Sequence, residues 1–113
     1  MGFWCYPTDV TSISIIDFDG GSHTLTTDGS GVMDMDDVEQ YYINGIAAKI
    51  LTINTWQYVM LTSNAGFTVD NFDIGRVAAN YFEGRLAEFE FWNSVLDADE
   101  ISTAYDRLRG VYK

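Results

Sequence analysis

The chain has 113 residues, 17 of them acidic and six basic, for a formal net charge of −11. Nucleic acid and anionic membrane surfaces are excluded as partners, because binding to either draws on a surplus of Lys and Arg. A content of 47% hydrophobic and 15% aromatic residues excludes a disordered chain, and no apolar stretch reaches the roughly 20 residues that a membrane-spanning helix needs.

The acids are unevenly spread. Residues 1 to 48 hold eight of them and no Lys or Arg, whereas residues 49 to 113 hold nine acids and all six bases. The first half is therefore the place for a cation or a basic neighbour. A single cysteine, Cys5, forbids an internal disulfide. No basic start leads into an apolar run and a cleavage site, so no export signal is expected.

In chain order, residues 1 to 9 are expected as an N-terminal arm, with Phe3, Trp4, Cys5 and Tyr6 ahead of Pro7 suited to insertion in a neighbour. Residues 10 to 113 are expected as one domain. Turn chemistry recurs at Asp19-Gly20-Gly21, Asp28-Gly29-Ser30-Gly31, Asn44-Gly45, Asn64-Ala65-Gly66, Asp70-Asn71, Gly75 and Glu83-Gly84. Between these points β-branched and aromatic runs predict strands over Val10 to Phe18, Ser22 to Thr27, Val38 to Ile43, Ala47 to Ile53, Trp56 to Thr62, Phe67 to Ile74 and Tyr81 to Trp92. Short strands with turn signals every 8 to 12 residues or so predict an all-β fold, an antiparallel β-sandwich or a barrel. The stretch from Trp56 to Leu61 is apolar at nearly every position, as a strand covered on both faces would be. In the last run Phe89 and Phe91 alternate with Glu88 and Glu90, which predicts one buried and one wet face.

The period then changes. Asp97-Ala98-Asp99-Glu100 has the spacing of a capping box, and Leu96 and Ile101 that of a hydrophobic staple. Ile101, Ala104, Tyr105 and Leu108 follow on one helical face, with Gly110 placed to end one short C-terminal helix.

The segment carrying Phe82, Gly84, Leu86, Glu88, Phe89, Phe91, Trp92, Asn93, Leu96, Asp99, Glu100, Ile101 and Tyr105 resembles the closing signature of concanavalin A-like jelly rolls of the laminin-G type. Upstream, Tyr42-Ile43-Asn44-Gly45, Thr55-Trp56 with Val59 and Leu61, and Ile74-Gly75-Arg76 are similar to further elements of that family, and the likeness spans about two-thirds of the chain. The order departs from the family's, since Asn44-Gly45 precedes Trp56 here, and the N-terminal side is shorter. A trimmed sandwich would expose edges or apolar surface, so a homo-oligomer such as a trimer, or seating on a larger shell, is expected.

The resemblance frames the candidate sites. Glucanases of this superfamily use carboxylates alternating on one strand, and Glu88 and Glu90 alternate. The later acids of that motif are replaced by Trp92 and Asn93, so no catalytic residue is assigned and no enzymatic activity is expected. Asp34, Asp36, Asp37 and Glu39 are the densest set of oxygen ligands; they are candidates for calcium, which takes oxygen donors, against the alternative of a solvated acidic loop. The EF-hand pattern fails, because with Asp28 first and Glu39 twelfth Met33 stands where Gly is needed. No cofactor is required. Trp4, Tyr41, Tyr81 and Trp92 are candidate platforms for a stacked sugar, while Trp56 suits the core. His23, the sole histidine, has no partner visible in sequence. Two functions follow from the resemblance: a structural or decoration protein of a virion capsid, tail or fibre, or a lectin-like adhesion domain for glycans. Either implies a virion or extracellular surface reached without a signal peptide.

Overall fold

The computed structural model describes residues 1 to 112. Its strands are β1 (Gly2–Pro7), β2 (Ser14–Asp17), β3 (Thr24–Thr27), β4 (Met33–Asp34), β5 (Gln40–Ile43), β6 (Ile46–Ala47), β7 (Gln57–Thr62), β8 (Asp73–Ile74), β9 (Arg76–Val77), β10 (Asn80–Tyr81) and β11 (Gly84–Glu90), followed by helix α1 (Ala98–Leu108). Five strands form one sheet in the order β11-β1-β7-β5-β6, and four form a second in the order β4-β3-β2-β8. Every named strand pair is antiparallel. The fold is thus an all-β sandwich with one short C-terminal helix.

Strand alternation sorts side chains into two apolar layers. Phe3, Cys5, Val59 and Leu61 face the second sheet, where Ile15, Ile16, Phe18, Leu25 and Met33 complete the main core. On the reverse face of the same sheet, Trp4, Tyr58 and Met60 pack beneath Ile101 and Ala104 of α1. All six residues of β7 are consequently buried, which is the two-sided cover its sequence predicts.

Residues 2 to 7 correct the expectation of an arm. They form β1, an interior strand hydrogen-bonded to β7 on one side and β11 on the other. Phe3, Trp4, Cys5 and Pro7 are buried there, because an apolar run with no polar alternation suits a strand covered on both faces. Two predicted strands also shrink. Of Ala47 to Ile53 only Ala47 lies in a named strand, with Ile50 in an isolated bridge to Val32, and of Phe67 to Ile74 only Asp73 and Ile74 do. In the second case Asn71 turns the chain with φ 50°, and Phe67 and Phe72 gather over Phe18.

The predicted alternation at the end of β11 is corrected as well. Its register against β1 slips between Gly2↔Glu90 and Trp4↔Ala87, and Glu88 takes a left-handed φ of 56°. This is a β-bulge, which inserts one residue and reverses the facing of those beyond it. Leu86 and Phe89 therefore both reach the main core. Glu90 turns to the helix side and pairs with Arg107, while Phe91 lies beyond the strand and is exposed.

The Asn44-Gly45 hairpin joins β5 to β6 as its sequence indicates, with both turn residues at positive φ. The capping box forms in full: the Glu100 N–H donates to the Asp97 carboxylate at 2.9 Å, and the Asp97 N–H donates to the Glu100 carboxylate at 3.1 Å. Beyond α1 the chain folds back, and Tyr112 stacks on Trp4 with ring centroids 4.8 Å apart.

Candidate functional site

The sandwich topology brings two connections together at one end of the molecule: residues 63 to 72, leading from β7 to β8, and residues 91 to 97, leading from β11 to α1. Between them lies a cleft of about 340 Å³. Its lining includes the buried Phe18, Met35 and Leu61, the half-buried Phe67 and Trp92, and the exposed Asn64, Ala65, Asn93 and Ser94. Among the described residues no charged side chain lines it. One lining residue, Ser63, has a buried hydroxyl with no hydrogen-bond partner among the described residues.

The walls are held from behind. His23 stacks on Phe67 with ring centroids 4.6 Å apart and an interplanar angle of 10°. The His23 ring in turn contacts the Asp37 carboxylate through Nε2 at 3.0 Å, and Asp19 lies 3.9 Å from its Nδ1. Asn64 on the rim donates to the Glu39 carboxylate.

These contacts show where the acidic candidates lie. Asp37 serves His23, Glu39 serves Asn64, and Asp34 stands in β4 opposite Thr26. Asp36 is exposed on the turn between β4 and β5. Among the described residues no three His, Cys, Asp or Glu side chains are grouped to hold one metal ion. Two of the four acids thus already hold another side chain through one carboxylate oxygen.

The aromatic candidates part company too. Trp4 is 1% exposed beneath α1, enclosed by Tyr58, Tyr105 and Tyr112, and no ligand reaches it; this corrects its candidacy. Tyr41 is a strut of the acidic turn: its hydroxyl accepts from the Met35 N–H at 2.9 Å and donates to the Met35 carbonyl at 3.3 Å. Burial is the main cause that raises its pKa. Tyr81 is 64% exposed on the β9–β10 hairpin, in register with Arg76. Trp92 alone reaches the cleft. Phe67, Ser63 and His23 were not candidates from sequence, although Asn64-Ala65-Gly66 and Trp92-Asn93 mark the two connections that meet there.

Comparison with protein-family models, curated proteins and solved structures returned no match.

A second feature adjoins the cleft. Val69 and Phe91, both on its rim, are 53% and 55% exposed, and Phe72 lies 5.8 Å from Phe91 between ring centroids. Ile74, on the edge strand β8, is also exposed. The two glutamates of β11 and the one thiol lie elsewhere and are engaged. Glu88 accepts from the Tyr112 hydroxyl at 3.3 Å, Glu90 pairs with Arg107, and burial pushes the Cys5 thiol up to about 12.

Proposed function

We propose that the chain is a non-enzymatic surface module of the concanavalin A-like jelly-roll kind, a structural or decoration protein of a virion capsid, tail or fibre that works by seating on other protein subunits. The observation that carries this reading is the apolar flank of Val69, Phe72, Ile74 and Phe91 beside the β8 edge. A run of large exposed apolar residues next to an open sheet edge is the usual mark of a protein contact. The engagement of Glu88 and Glu90 with other side chains, and the burial of Cys5, support the non-enzymatic part.

Native mass is the test. The wild-type chain at micromolar concentration is expected to run as an oligomer, such as a trimer, and the double substitution Phe72→Asp with Ile74→Asp to run as a protomer. A wild-type mass equal to one protomer, with or without calcium, overturns self-assembly. A second reading, glycan adhesion, rests on the Tyr81 ring being exposed beside Arg76. Glycan-array binding by a monomer that Tyr81→Ala abolishes would favour it.

A further inference from the structure

We propose that the cleft between the β7–β8 and β11–α1 connections is a binding site for a small uncharged cyclic molecule that carries one hydrogen-bonding group. Its volume of about 340 Å³ falls at the lower end of the roughly 300–1,000 Å³ range of small-molecule sites. The chemistry of the lining sets the ligand class. Phe18, Met35 and Leu61 supply apolar surface, and Phe67 and Trp92 supply two aromatic rings. A charged ligand would lose its hydration for little return, because no charged side chain of the described residues lines the cleft, and the one ionisable group there, the Met1 amino group, donates to the Leu61 carbonyl and is pushed down to a pKa of about 6 by burial. Ser63, a residue of the lining, supplies polar specificity: its hydroxyl is buried and has no partner among the described residues. Buried hydroxyls are ordinarily hydrogen-bonded, so one left open beside a cleft calls for a ligand donor or acceptor.

The site is also built in advance. His23, held by Asp37, stacks on the face of Phe67, and Glu39 holds Asn64 on the rim. A wall fixed from behind spares the ligand the entropy of ordering it. This gives the polar contacts of His23 and Glu39 a role that calcium ligation does not require of them.

The inference is separable from the assembly reading through Ile74, which lies outside the cleft lining, whereas Val69 and Phe91 belong to both surfaces and Phe72 packs on Phe18 and Phe91; Ile74→Asp is expected to break assembly and leave probe binding unchanged. The test uses phenol and toluene as probes on the full chain, followed by amide and indole chemical shifts. Both are expected to give saturable shifts at Ser63, Phe67 and the Trp92 indole in the millimolar range. Ser63→Ala is expected to weaken phenol about tenfold, the worth of one buried hydrogen bond, and to leave toluene unchanged. Ala65→Trp, which changes an exposed rim residue and leaves the core intact, is expected to block both probes. The proposal is overturned if the shifts do not saturate, if they map to another surface, if Ser63→Ala weakens phenol and toluene alike, or if a neutral monosaccharide displaces phenol at equal concentration.

Discussion

Gly84 shows how a single position joins the first strand to the last. It pairs with Pro7 at the start of β11, has φ 144°, and a Cβ built there would collide with the Tyr6 carbonyl oxygen and lie 2.8 Å from the Pro7 Cα. Neither neighbour can yield, since both are main-chain atoms of an interior strand. Gly84→Ala is therefore expected to cost about 3 kcal/mol or more, from backbone strain and overpacking together, read as a lower urea midpoint. Cys5 carries a prediction of a different kind. Its folded pKa of about 12 exceeds its ordinary 9.0, because burial disfavours the thiolate. The raised value means that the folded state keeps a proton the unfolded chain gives up. The contribution of the thiol is whole below pH 9.0 and is lost as pH rises toward about 12. In that window the stability difference between wild type and Cys5→Ala should shrink by at most roughly 1.4 kcal/mol per pH unit, as urea unfolding at stepped pH would record. A pH-independent difference would contradict the burial argument. His23 belongs at this scale as well. Sequence left it without partners, since Asp37 and Phe67 reach it only after the chain has turned back on itself.

Among the elements, α1 was the most legible because its instructions are local. The capping box, the staple residues and the apolar face all lie between Leu96 and Leu108, and each takes its expected place. Only the end differs. The last capping position falls on Arg109 in a right-handed conformation, and Gly110 does not take a positive φ. Asp97→Ala removes the acceptor of the Glu100 N–H and should cost about 1 kcal/mol, measured by thermal unfolding. Asp97→Asn, which keeps an acceptor, should cost less. The Asn44-Gly45 hairpin was legible for the same local reason. β1 was not. Phe3-Trp4-Cys5-Tyr6 is equally compatible with an inserted arm and an interior strand, and what decides is pairing with Gln57–Thr62 and Gly84–Glu90, far along the chain. The bulge at Glu88 escaped notice because a non-glycine residue gives no signal of positive φ. The cleft had its two halves flagged as separate turns, Asn64-Ala65-Gly66 and Trp92-Asn93, and only sheet topology makes them one site.

For the whole molecule, the lopsided charge now divides into parts. Of the eight acids ahead of Lys49, Asp9, Asp17 and Asp28 accept backbone N–H groups in turns, and Asp37 and Glu39 hold His23 and Asn64. The two bonds to Asp28, from Val32 and then Ser30, also keep its carboxyl below the ordinary range. What looked like a reservoir for an ion is in good part turn chemistry, a use that composition alone cannot reveal. The position of β1 has a consequence in time. It lies between β7 and β11, so the first segment of the sheet finds its partners only after nearly the whole chain is available. Contacts of such long sequence separation place the search late and make it slow. Refolding from urea should accordingly fall in the millisecond-to-second range of all-β domains, with β1 amides gaining exchange protection among the last and α1 amides among the first. Until β1 docks, Phe3 and Trp4 have neither the core nor the helix to cover them, which makes the early, half-closed sheet the state most prone to aggregate.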